Sequence, residues 1–187
     1  MFGRKISLWK LKRAAKAGDP DSSFEVGSCY LNGIGTEKNI EKAVEFLKLG
    51  AEQGSAGAAL TLGNMLERGY LNKEKYVISD YDVAFALFKV AADGGLAAGT
   101  HRMGMMYKDG RGTHQCVETA VSMITDAAER SWNKARIDLY YLYRDGSCVD
   151  KNLEKALEYL KTAAEDGDGE AITLLKENHP DVVFETL

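Results

Sequence analysis

Apolar residues recur along this chain at helical spacing, and the pattern itself recurs. Each of five phrases closes a helix: "AAKAG" at Gly18, "GAEQG" at Gly54, "AADGG" at Gly95, "AAERS" at Ser131 and "AAEDG" at Gly167. The steps between them are 36, 41, 36 and 36 residues, so a fixed period with one five-residue insertion runs through most of the chain. Within each period a small residue falls four places after the closing position: Ser22, Ala58, Gly99, Ala135 and Ala171. An apolar residue falls eight places after it: Val26, Leu62, Met103, Leu139 and Leu175. Spacings of four and eight put side chains on one helical face. They predict a first helix, A, near 20–31, 56–67, 97–108 and 133–144.

A glycine fifteen places on (Gly33, Gly69, Gly110, Gly146) reads as the helix stop. Asp19 before Pro20 reads as an N-cap and first turn. A second helix, B, then carries Val44, Phe85, Val121 and Leu157, with Leu47, Phe88, Ile124 and Leu160 three residues later. Residues 1–17 read as a lone B helix with Leu8 and Leu11 at the matching places. Gly27, Gly63 and Gly104 fall in the middle of helix A, where glycine is unfavourable by about 1 kcal/mol against alanine. Their presence predicts a close crossing of A and B.

The fold class that follows is all-α: a right-handed α-solenoid of about four two-helix repeats with flanking terminal helices. The expected organisation is one domain over 1–187, with the N-terminal B-type helix at 1–17 and repeats at 18–53, 54–94, 95–130 and 131–166. A capping helix and tail occupy 167–187, with the tail "PDVVFETL" expected to cover the last helix.

The phrases "A…LG..Y..G.G" and "KA…..AAE.G", best carried by "MGMMYKDGRG" at 103–112 and "EKALEYLKTAAEDG" at 154–167, resemble the Sel-1-like repeat family, related to tetratricopeptide repeats. The five-residue insertion, and Tyr140 and Lys176 in place of glycine, depart from the pattern. The resemblance implies an adaptor. Family members scaffold complexes, regulate signalling or act as small partner-blocking proteins in bacteria. Some secreted relatives bind penicillins but carry a cysteine pair in each unit, which this chain lacks.

Net charge is −4 with a pI near 5.5, which disfavours general nucleic-acid binding. Residues 1–17 are basic and the last stretch is acidic. No apolar run is long enough for a membrane span. Three cysteines without regular spacing fit reduced thiols and a cytoplasmic location. The histidines and acids make no catalytic order, and no cluster has metal-ligand spacing. His101 holds a place occupied by Phe24, Leu60 and Ile137 in other repeats and reads as a packed imidazole. No cofactor is expected, and no enzyme activity.

Binding is therefore the expected function: a protein–protein interaction module that takes a partner protein or peptide on its concave helix-A face, as a monomer or weak dimer. The positions facing away from the core give Glu25, Asn32, Asn64, Arg68, Arg102, Met105, Asp138 and Tyr141 as contact residues. Met105, Tyr141 and Arg102 are the residue types that anchor interfaces. The inserted loop, with Tyr70, Tyr76 and Ile78, is a second candidate. A narrower alternative is an immunity or antitoxin-type inhibitor of one cognate effector. A small-ligand binder or hydrolase is the third.

Overall fold

The computed structural model describes residues 7–69, 80–182 and 184. Among these there are ten helices and no strand. In chain order they are α1 (Leu8–Lys16), α2 (Pro20–Asn32), α3 (Ile40–Glu52), α4 (Ala56–Arg68) and α5 (Tyr81–Asp93). Then follow α6 (Ala97–Asp109), α7 (Val117–Glu129), α8 (Asn133–Asp145), α9 (Leu153–Glu165) and α10 (Gly169–Asn178). Even-numbered helices are the expected A type and odd-numbered ones the B type. One compact unit runs to Gly99 and takes in Arg111–Thr113; the other takes Thr100–Gly110 and resumes at His114.

Local chemistry fixes the helix ends. Asp19 accepts from the Ser22 N–H at 3.0 Å, with Pro20 in the first turn. Asn39, Ser55, Asp80, Asn152 and Asp168 cap their helices in the same way. Gly33, Gly69 and Gly146 end α2, α4 and α8 in the left-handed conformation, which glycine adopts without strain.

The mid-helix glycines mark the A–B crossings. In the first unit, a methyl group on Gly27 would lie 2.7 Å from Leu47 Cγ, and one on Gly63 would lie 2.7 Å from Phe88 Cε1. In the second unit, a methyl on Gly104 would lie 2.9 Å from Ile124 Cγ1. Leu47, Phe88 and Ile124 are all fully buried. Burying such a side chain is worth about 1.5–3 kcal/mol, more than the glycine's loss of helix propensity. Tyr140 stands in the fourth copy of the glycine position. It is fully buried among Ala156, Leu160 and Leu175, and its hydroxyl hydrogen-bonds with His179 Nε2 at 2.9 Å. Val182 and Phe184 pack against the same cluster.

A second recurring position joins the last residue of a B helix region to the fifth residue after the previous closing position. In the first repeat Ser23 Oγ donates to Gln53 Oε1 at 2.6 Å, and Gln53 Nε2 donates to the Ala15 carbonyl at 2.9 Å. In the second repeat the equivalent residues are Ala59 and Gly94, neither with a polar side chain, and any side chain at 94 would meet Ala56 Cβ at 2.5 Å. In the third, Arg130 donates to Thr100 Oγ1 at 3.2 Å. In the fourth, buried Arg136 pairs with Asp166 and also donates to the Ala128 carbonyl at 3.2 Å and to Asn133 Oδ1 at 2.6 Å. One geometric slot is thus filled by three different polar pairs, and in the second repeat its two positions carry no polar side chain.

The tightest approach to backbone is at Gly99, where an added methyl would sit 2.6 Å from the Ala92 backbone nitrogen. Backbone cannot swing aside, so Gly99→Ala is expected to lose about 1–3 kcal/mol of stability to overpacking, less up to about 1 kcal/mol of regained helix propensity. Gly169, in the first turn of α10, has nothing within 4 Å of such a methyl. Gly169→Ala is expected to stabilise by a few tenths to about 1 kcal/mol. Thermal denaturation of both variants checks the opposite signs.

Candidate protein-binding surface

The contact residues read from the sequence divide between the two units. Glu25, Asn32, Asn64 and Arg68 belong to the first. Glu25, Asn32 and Arg68 are exposed, and Asn64 is half-buried. Asn32 Nδ2 donates to the Ser28 carbonyl at 3.0 Å, and Arg68 lies in the last turn of α4. Glu25 lines a cavity of about 490 Å³ together with Leu8, Leu11, Cys29 and Ile34. Burial, and then the Glu25 charge, push the Cys29 thiol pKa up. The cavity has a sequence origin. Cys29 occupies the position of Met65, Met106 and Leu142, which are buried and larger. Ile34, 57% exposed, sits between Gly33 and Gly35, both at positive φ.

Arg102, Met105, Asp138 and Tyr141 belong to the second unit, and all four are half-buried. Asp138 has a partner inside the unit. His101, 3% exposed, places Nε2 at 2.7 Å from Asp138 Oδ2 and so ties α6 to α8. The packed imidazole expected from the sequence is present, and Asp138 is the group that satisfies it.

Tyr141 is held on the same helix. Its ring centroid lies 5.0 Å from that of Tyr140, and the Arg144 guanidinium lies 4.8 Å from it. Arg144 is itself fixed by Asp145, through Nε–Oδ1 at 2.6 Å and Nη2–Oδ2 at 2.9 Å. This fork holds the Asp145 carboxyl below its ordinary pKa. Beside it, Lys155 Nζ donates to the Tyr143 hydroxyl at 2.8 Å, which raises the lysine's pKa. Burial raises that of Tyr159, which stacks on Tyr143 with centroids 6.1 Å apart.

Tyr70, Tyr76 and Ile78 of the inserted loop lie outside the described residues. Arg144, Ile34, Val83 and Val90 are surface features that the sequence reading passed over. Val83 was detectable, because it stands where other B helices carry Lys42, Thr119 and Lys155. Among the described residues no group of three or more His, Cys, Asp or Glu side chains is placed to hold a metal ion. No described helix is long and apolar enough to cross a membrane.

Two-helix units of fixed period, glycines at the crossings and a surface of ordered side chains define a helical-repeat protein. The Sel1 repeat model matches residues 20–55, 56–96, 97–115 and 135–168, more than half of the chain, and the protein belongs to the Sel1 repeat family. A solved Sel1 repeat protein from Oxalobacter formigenes superposes with a TM-score of 0.77 at 27% identity, over 92% of this chain and 70% of that one. A protective antigen of uropathogenic Escherichia coli with an SLR fold gives 0.77 at 27% identity, over 91% of this chain and 36% of that one. An immunity protein from Pseudomonas aeruginosa shares the fold at a TM-score of 0.59 and 18% identity, over 90% of this chain and 60% of that one. Chitin synthase regulatory factor 3 of Schizosaccharomyces pombe is 28% identical over 82% of this chain, which spans only 17% of that protein.

The His101–Asp138 contact generates a prediction. Asp138→Ala leaves a buried imidazole nitrogen without its partner and is expected to cost about 1–3 kcal/mol. Asp138→Asn keeps an acceptor at that place and is expected to cost less. Chemical denaturation of both variants at neutral pH measures the difference.

Proposed function

We propose that this protein is a non-catalytic interaction module that holds a partner protein or peptide on the outward faces of its A helices. The leading contact is the α6–α8 face of the second unit, built from Arg102, Met105, Tyr141 and Arg144. The observation that carries this reading is the fixation of Tyr141 between the Tyr140 ring and the Arg144 guanidinium. Tyrosine and arginine dominate interface hot spots. Side chains already ordered before binding lose little rotamer freedom on contact, so more of the contact energy appears as affinity. The family assignment agrees, since Sel1 repeats generally mediate contacts between proteins.

Glu25, Asn32, Asn64 and Arg68 form a separate face in the first unit. Glu25 there offers a carboxylate at the mouth of an apolar cavity, suited to an aliphatic side chain next to a base. The same surface chemistry serves an adaptor with several partners or an inhibitor with one.

Site-specific photo-cross-linking in cells tests the assignment. A benzophenone side chain replacing Tyr141 is expected to capture a partner, while the same group at Glu158, on a B helix, is not. One adduct would indicate a single cognate partner and several an adaptor. Tyr141→Ala combined with Arg144→Ala is expected to weaken recovery of the captured partner at least about tenfold without loss of helicity. Equal capture from positions 141 and 158, or none from 141, would defeat the proposal.

A further inference from the structure

Among the described residues α1 is a B helix with no A helix ahead of it. By contrast α3, α5 and α9 each pack against the A helix that precedes them. Two positions mark the side they use. Four places before the closing residue stand Gly50, Ala91, Ala127 and Ala163, all buried. A methyl on Gly50 would lie 3.2 Å from Ser23 Cβ of α2, the preceding A helix. Four places earlier again, Phe46 stacks on Tyr30 of α2, and Tyr159 on Tyr143 of α8, each with centroids 6.1 Å apart. In α1 these two positions hold Ala14 and Lys10. Ala14 is only half-buried and Lys10 is exposed. With Trp9, Arg13 and Ala17 they border a cavity of about 340 Å³. Lys10, Arg13, Ala14 and Ala17 follow the i, i+3, i+4, i+7 spacing of one helix face. The charge of α1 also departs from the repeat. It carries Lys10, Lys12, Arg13 and Lys16 and no acid, whereas each of α3, α5, α7 and α9 holds two or three acids. Lys12 is drawn to the Tyr30 ring, 4.8 Å away, which leaves Lys10 and Arg13 at the cavity.

We propose that this open side of α1 seats an acidic helix of a partner protein, in the place that an A helix takes in the other repeats. The repeat geometry selects a helix. Ala14 and Ala17 leave room for the close crossing that Gly50 and its equivalents give to A helices. The charge selects acids. Lys10 and Arg13 flank that crossing one turn apart, so carboxylates on the partner helix meet both. Trp9, 61% exposed at the edge of the stripe, supplies an aromatic anchor. Helix α10 of a second copy does not fit this place. Lys176 stands at its crossing position, where α2 has Gly27, and would bring a third cation to the basic face. A membrane surface is also poorly matched, because Trp9 is the one large apolar side chain at this cavity. With nine residues, about 13 Å of axis, α1 makes a small contact and a weak association. It is a different surface from the α6–α8 face and stands or falls apart from it.

Calorimetric titration of the full chain with two stapled, alanine-rich helical peptides tests the assignment, one bearing glutamates and the other lysines at the same places. The chain as a whole carries a charge of −4, so undirected attraction would favour the lysine peptide. The glutamate peptide is expected to bind with a dissociation constant below about 1 mM, at least about tenfold tighter than the lysine peptide. Its binding is expected to weaken as salt rises from about 50 to about 300 mM. Lys10→Glu with Arg13→Glu is expected to reverse the preference, and Trp9→Ala to weaken the glutamate peptide at least about threefold. Lys48→Glu with Lys89→Glu, the same charge change placed on α3 and α5, is expected to keep the preference for glutamate. No binding of the glutamate peptide at about 1 mM overturns the proposal, as does equal binding of the two peptides or a preference indifferent to the exchange at Lys10 and Arg13. A mass that rises toward a dimer in sedimentation equilibrium, and falls back in the α1 variant, also overturns it, because a second copy would then be the occupant. Should the α1 exchange lower helicity, Lys10→Gln with Arg13→Gln decides, with the glutamate preference expected to disappear.

Discussion

The close crossing of helices A and B is the constraint on which the fold depends. A helix face can bury Leu47, Phe88 or Ile124 fully only if the facing helix comes near, and it comes near only where Gly27, Gly63 or Gly104 leaves out a side chain. Glycine weakens a helix locally, and the buried partner repays that loss by a larger margin. The alanines on the B side, fully buried at 43, 84, 120 and 156, extend the same close approach. Where Tyr140 replaces glycine, the repeat changes its solution. The large ring fills the interior, and His179, from beyond α10, satisfies its hydroxyl. The departure from the repeat pattern is thus compensated by a residue that the repeat pattern does not contain.

This constraint explains what the sequence disclosed. Helix positions and stops were legible because the crossing repeats, and each copy checks the others; of the side-chain caps only Asp19 was read in advance. The predicted A helices begin at 20, 56, 97 and 133, as α2, α4, α6 and α8 do. The contact surface was less legible, because outward positions answer to no internal partner and so carry no period. Asp138 shows the difficulty. Its spacing marks it as outward-facing, yet it serves a buried imidazole 37 residues earlier. That pairing joins two consecutive A helices, and comparing equivalent positions cannot reveal it: the first repeat has Phe24 and the fourth Ile137 where the third has His101. Arg144 escaped for a related reason. Its role depends on Tyr140, itself an exception to the repeat.

The recurring slot filled by Ser23–Gln53, Thr100–Arg130 and Arg136–Asp166, with Ala59 and Gly94 at the equivalent positions of the second repeat, shows how the repeats diverge without losing register. The backbone geometry sets a requirement: polar atoms in the slot must find partners, or polar atoms must be absent. Any mutually satisfied pair meets it, but a mixed pair does not. Arg136 facing a glycine would leave a buried guanidinium short of its carboxylate, a far larger penalty than the loss of an exposed pair. Residues at the two ends of the slot are therefore expected to change together, and each repeat holds its own solution.

The same reasoning separates the two surfaces that depart from a plain solvated repeat. On α8 the departure is polar and ordered: around Tyr141, Arg144 pairs with Asp145, Lys155 with the Tyr143 hydroxyl and Asp138 with His101. On α5 the departure is apolar: Val83 stands where the other B helices carry Lys42, Thr119 and Lys155, and Val90 where they carry Leu49, Asp126 and Thr162. Val83 and Val90 are more than half covered, and with Val44, Leu62, Leu66 and Leu87 they line an apolar groove in the first unit. A lysine at either place would set a charge against that apolar wall, whereas the charges of Arg144 and Lys155 beside Tyr141 already have partners.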